Sequence, residues 1–117
     1  MNNTRIHLYE GMYILRSTLS DDARDKALAK VTSLIESLGG SKEKVIDWGR
    51  RKMVYEIKGC RDGHYYLIYF KLPTAAMNEL IRENHLHEDL LRFIHVAVEN
   101  VPEEDEIKFK PIVASER

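Results

Sequence analysis

Asp47-Trp48-Gly49-Arg50-Arg51-Lys52-Met53-Val54-Tyr55-Glu56-Ile57-Lys58 is the stretch whose reading decides the fold. After Lys52 its apolar residues alternate. Met53, Tyr55 and Ile57 point one way, and Val54, Glu56 and Lys58 the other. Period two in β-forming residues predicts a strand with one buried face, which makes Tyr55 a core residue. Three consecutive cations precede it. Successive strand residues face opposite sides, so Arg50 and Lys52 share one side and Arg51 takes the other. Gly49 interrupts the pattern and marks a bulge or a close backbone approach. A strand with a basic, kinked entry presents positive charge to something outside the fold.

Working outward, Gly59-Cys60-Arg61-Asp62-Gly63 reads as a hairpin turn on the strength of Asp-Gly. His64 to Leu72 follows as a strand with apolar residues on both faces, hence central in its sheet. Upstream, Arg5 to Leu15 is a strand. Ser20 is the N-cap of a helix with Asp21 and Asp22 in its first turn. Its apolar stripe is Ala27, Leu28, Val31, Leu34, Ile35 and Leu38, and Gly39-Gly40 ends it. Downstream, Pro73 stops the third strand and Thr74 caps a second helix striped by Met77, Leu80 and Ile81. The segment 85–89 is a loop, and Leu90 to Val98 is the fourth strand. The order βαββαβ predicts a ferredoxin-like α+β fold: an antiparallel four-stranded sheet, first and third strands central, with both helices on one face. The other face needs a cover: the tail, a partner chain, or RNA. Leu28, Val31, Ile35, Leu38, Tyr55, Leu80 and Ile81 are the expected core markers.

The chain has 117 residues, 18 bases and 19 acids, for a net charge of −1. That length suits one domain over 1–98, followed by an acidic tail over 99–117. The balance is uneven. Residues 42–61 hold seven bases and three acids, while residues 99–117 hold six acids and three bases. A near-neutral chain with one basic segment is far from the strongly basic composition of a protein that binds nucleic acid unaided. The lone Cys60 has no partner for an intramolecular disulfide. No secretory leader and no membrane-spanning stretch is read in the sequence, so a reduced, cytoplasmic setting is expected.

Tyr9-Glu10, Gly39-Gly40, Trp48-Gly49-Arg50-Arg51 with Tyr55 and Ile57, and Gly63-His64-Tyr65-Tyr66 occur in the order and spacing of a known family. Over about residues 5–98 the chain resembles bacterial small-subunit ribosomal protein six. It departs from the family pattern mildly, with Met53 in place of Leu and Val54 in place of a small residue. The resemblance implies a ferredoxin-like domain without enzymatic activity or cofactor. It also implies a protein that binds the central domain of small-subunit (16S) ribosomal RNA together with ribosomal protein eighteen.

Catalytic and metal signals are thin. His85 and His87, beside Glu88 and Asp89, form a His-x-His that lacks a third strong ligand and reads more simply as a solvated loop. No phosphate loop, HExxH or nucleophile elbow is present. The Gly-rich anion loop of ferredoxin-like acyl phosphate hydrolases is replaced by Arg16-Ser17-Thr18-Leu19-Ser20-Asp21. The RNA recognition motif shares the element order, but Asp62 to Tyr69 lacks its basic residue, first aromatic and small residue. The strand's tyrosines therefore read as core rather than as a stacking platform, and Trp48 as a packing anchor. The Ile107 to Pro111 stretch of the tail is amphipathic enough to lie along a groove.

The expected function is that of a structural constituent of the small ribosomal subunit, with no small-molecule substrate and no membrane. Its RNA-binding residues are expected to be Arg50, Arg51 and Lys52, supported by Arg5 and Arg92 gathering near one edge of the sheet. The competing reading is a regulatory or ligand-binding ferredoxin-like module that homodimerises through its open sheet.

Overall fold

A computed structural model of the protein describes residues 5–103. The elements are β1 (Ile6–Arg16), α1 (Asp21–Ser37), β2 (Ser41–Ile57), β3 (Cys60–Pro73), a 3-10 turn (Thr74–Ala76), α2 (Met77–His85) and β4 (Leu90–Val98). The sheet order is β2-β3-β1-β4, and every neighbouring pair is antiparallel. The two central strands are those expected. β3 carries six consecutive buried residues from Tyr65 to Phe70, as a strand covered on both sides must.

The pleat divides these side chains into two clusters. Tyr66, Ile68, Phe70 and Leu72 join Tyr13 and Leu15 beneath the helices, where Ala27, Val31 and Ile35 of α1 and Leu80 of α2 cover them. Tyr65, Leu67 and Tyr69 join Met12, Ile14, Met53 and Leu91 on the opposite face. Trp48 and Val101 pack against this second cluster, so Trp48 is the packing anchor expected of it. Each fully buried side chain of this size contributes roughly 1.5–3 kcal/mol by leaving water. Leu28, Leu38 and Ile81 are only half-buried, since they flank the helical stripes rather than centre them.

Local chemistry explains the ends of α1. Ser20 Oγ accepts the Ala23 N–H at 3.2 Å, with Asp21 and Asp22 behind it in the first turn. At the other end Gly39 takes a φ of +92°. The second helix starts differently from expectation. Thr74 opens the 3-10 turn, and α2 begins three residues later with no side-chain cap. The extra turn lets the chain leave Pro73 and tighten before the α-helix proper.

The β2–β3 hairpin also departs from the sequence reading. The turn is Lys58-Gly59, with φ of +50° and +80° between the paired residues Ile57 and Cys60. Positive φ at both central residues is the signature of a type I′ hairpin turn. Asp62-Gly63 lies inside β3, opposite Lys52 and Arg51. Among the described residues no helix is long and apolar enough to cross a membrane.

Candidate nucleic-acid interface

β1 ends against β3 at the pair Arg16 and Gly63. Arg51 of β2 also pairs with Gly63, so the hairpin from Lys52 to Asp62 projects past the body of the sheet, and the run Arg50 to Lys52 leads into this overhang. The basic run starts at a bulge still inside the sheet. Asp47 pairs with Tyr66 and Gly49 with Tyr65, so Trp48 is an extra residue. Asp47 holds the kink: its Oδ1 accepts the Gly49 N–H at 2.8 Å and lies 2.6 Å from His64 Nε2. Gly49 has φ +76°, where a side chain would be strained although no atom would obstruct it.

Past the bulge, Arg50, Arg51 and Lys52 pair with His64, Gly63 and Asp62. Cross-strand partners share a face, so Arg50 and Lys52 lie on the helix side of the sheet and Arg51 on the other. Arg50 grips the Asp62 carboxylate, its Nη2 and Nε donating to Oδ2 at 2.9 and 3.1 Å. Arg51 Nε donates to the Trp48 carbonyl at 3.1 Å. Burial raises the pKa of the Tyr65 hydroxyl, and the Arg51 guanidinium opposes that rise. Lys52 is exposed.

Beyond Lys52 the ladder breaks. Four residues of β2, Met53 to Glu56, face the single Arg61 of β3 before pairing resumes at Ile57. Met53 turns back into the open-face cluster. Tyr55, expected in the core from its alternation, is 56% exposed, because at this point no neighbouring strand or helix remains to cover it.

The other expected cations lie elsewhere. Arg92 pairs with Ile14 on β4, at the same end of the sheet as the overhang but on the far edge. Arg5 precedes β1 at its opposite end, where its carbonyl accepts the Thr74 N–H. Nine residues of strand between Arg5 and Ile14 amount to about 30 Å. Arg5 and Arg92 therefore do not gather at one edge.

The remaining candidates resolve into structure. His87 is buried, with Nε2 3.1 Å from the Ala27 carbonyl and Nδ1 3.3 Å from the Asp89 N–H, while His85 ends α2 against the Phe93 ring. The two histidines are thus engaged separately. Among the described residues no group of three His, Cys, Asp or Glu side chains converges as a metal site would require. Tyr65, Tyr66, Tyr69 and Phe70 are at most 3% exposed, so none offers a face to a base. Cys60 is a half-buried free thiol, with Arg16 Nη1 3.4 Å from its sulfur. A groove of about 550 Å³ between α1 and the α2–β4 connection is lined by Lys26, Lys30, Glu88 and Asp89, whose charges cancel. The acidic run from Glu104 and the Ile107 to Pro111 stretch lie outside the described residues.

The chain is thus a ferredoxin-like α+β domain whose distinguishing surface is a basic hairpin projecting from one edge of the sheet. The family model described as "Ribosomal protein S6" matches residues 8–97. The small ribosomal subunit protein bS6 of Protochlamydia amoebophila is 49% identical over 102 residues, covering 87% of this chain and 90% of that one. Its counterpart from Chlamydia muridarum is 53% identical over 96 residues, covering 82% and 86%. The crystal structure of 30S ribosomal protein S6 from Thermotoga maritima has a TM-score of 0.74 at 27% identity, covering 80% of this chain and 89% of that chain. The chain belongs to the ribosomal protein S6 family. It is a structural, non-enzymatic protein of the small ribosomal subunit, associated with ribosomal RNA on cytoplasmic ribosomes. Family membership supports the ribosomal reading over that of a regulatory or ligand-binding module.

Proposed function

We propose that the protein binds 16S ribosomal RNA jointly with ribosomal protein eighteen, using the projecting basic hairpin on the RNA. The observation that supports this reading is the run of three cations where β2 leaves the sheet, Arg50 and Arg51 level with Leu15 and Arg16 at the end of β1 and Lys52 just past it, on a chain whose net charge is only −1. Arg51 and Lys52 are the principal phosphate ligands. Arg50 joins them once Asp62 yields it, Arg92 extends the surface across the same end of the sheet, and Arg5 meets the RNA separately at the far end.

Phosphate contacts of this kind position a protein and read little sequence. Each contributes modestly and is weakened by salt, so these five on a near-neutral chain do not hold RNA tightly. A basic partner docked beside the hairpin adds the missing charge. Filter binding with 16S RNA, with and without ribosomal protein eighteen, tests the reading. Weak binding alone and tight binding with the partner is the expected pattern. Tight, specific binding by the isolated protein at physiological salt would rule it out.

A further inference from the structure

Tyr55 is 56% exposed and Val54 51% exposed, in the four residues of β2 that have left the ladder. An aromatic ring held at a hairpin tip is costly to leave in water, since a tyrosine normally buries roughly 150–250 Å². The surroundings are cationic. Residues 50–62 contain Arg50, Arg51, Lys52, Lys58 and Arg61 against two acids, Glu56 and Asp62, the latter bonded to Arg50. The Glu56–Arg61 pair is long, at 3.8 Å, and both side chains are exposed, so it neutralises little.

We propose that Tyr55 is a stacking platform for an unpaired nucleobase of RNA, with Val54 beside it and the adjoining phosphates held by Arg51, Lys52 and Lys58. The proposal rests on the RNA-binding reading above and names the part of the RNA that the hairpin tip takes. An exposed ring supplies a face that any base can cover, and the flanking cations track the backbone on either side of that base. This is the combination a single-stranded segment requires. A protein partner fits the tip less well. Interface cores are depleted of charge, whereas this apolar pair sits in a hairpin whose excess of cations would repel a basic partner.

The test uses the full chain with ribosomal protein eighteen and 16S RNA, comparing wild type with Tyr55→Phe and Tyr55→Leu. Stacking needs the ring and not the hydroxyl. Tyr55→Phe is therefore expected to bind within about twofold of wild type, and Tyr55→Leu about tenfold more weakly. Ultraviolet irradiation of the wild-type complex should join Tyr55 to a base, and mass spectrometry of the digested complex should find that adduct. Equal RNA affinity of Tyr55→Leu and wild type would overturn the stacking proposal alone. So would a loss in Tyr55→Phe as large as in Tyr55→Leu, or a loss of affinity for ribosomal protein eighteen by Tyr55→Leu without RNA. If wild type and partner together fail to hold RNA, the functional reading falls as well. Thermal melts serve as the fold control: substitution of an exposed ring should leave the transition nearly unmoved.

Discussion

Arg50 is the residue at which two roles compete. Its guanidinium is committed to Asp62 through two hydrogen bonds to one carboxylate oxygen. The pair is solvent-exposed, so it contributes only about 0.2–1 kcal/mol to the fold. Asp62→Asn should therefore cost no more than about 1 kcal/mol in denaturant unfolding. It should also tighten RNA binding in the presence of the partner, because a phosphate then meets a released Arg50 and one fewer carboxylate. Weaker binding by a folded Asp62→Asn variant would assign Asp62 a positive part in recognition. His95 sets a pH limit on the same scale. Burial pushes its pKa down to about 4, and its Nε2 lies 2.6 Å from the Tyr13 hydroxyl. The unfolded chain takes up this proton near pH 6.5 and the folded chain only near 4. Stability is thus fully present above about pH 6.5 and is lost as pH falls toward 4, by about 2–3 kcal/mol. Denaturant titrations at about pH 7 and about pH 4.5 should show this loss in wild type and a smaller one in His95→Gln.

At the scale of the element, the β2–β3 hairpin shows what a sequence can and cannot disclose. The strand, its bulge at Gly49 and the division of Arg50 and Lys52 from Arg51 follow from period two and one glycine, and the register agrees with them. The turn does not follow, because Asp-Gly is a stronger local signal than Lys-Gly. The hairpin closes instead where Met53, Ile57 and Cys60 can all reach the open-face cluster. Tyr55 departs from its pattern for a related reason. Alternation states which side a residue faces but not whether anything is there to cover it. Arg5 and Arg92 needed the register of β1 with β4, which no local pattern contains. Two substitutions probe the hairpin. Gly49→Ala adds a Cβ in open space at φ +76°, so its penalty is purely conformational, about 1–2 kcal/mol. Lys58→Asn places a residue tolerant of positive φ at the turn and should stabilise by about 0.5–1 kcal/mol. Reversible unfolding in urea reads both, and a neutral Gly49→Ala would mean that the bulge is not held in this conformation.

Taken whole, the described domain is a helix-backed sheet with a run of cations where its long hairpin leaves one end. The fold class was legible throughout, since two helical stripes and a hairpin between crossovers admit few other arrangements. The surface is harder to read. Net charge near zero hides a basic tip, and only the strand register shows that the tip stands clear of the body. That geometry carries the central claim: the tip meets RNA phosphates, and the partner supplies the rest of the affinity. The most direct measurement is the salt dependence of RNA binding, with ribosomal protein eighteen present, for wild type and for the triple variant Arg50→Ala, Arg51→Ala, Lys52→Ala, with circular dichroism as the fold control. The expected result is weaker binding and a log–log slope shallower by about 0.7–0.9 for each phosphate no longer neutralised. A folded triple variant with wild-type affinity and an unchanged slope would contradict the claim and leave the basic tip as a solvated edge.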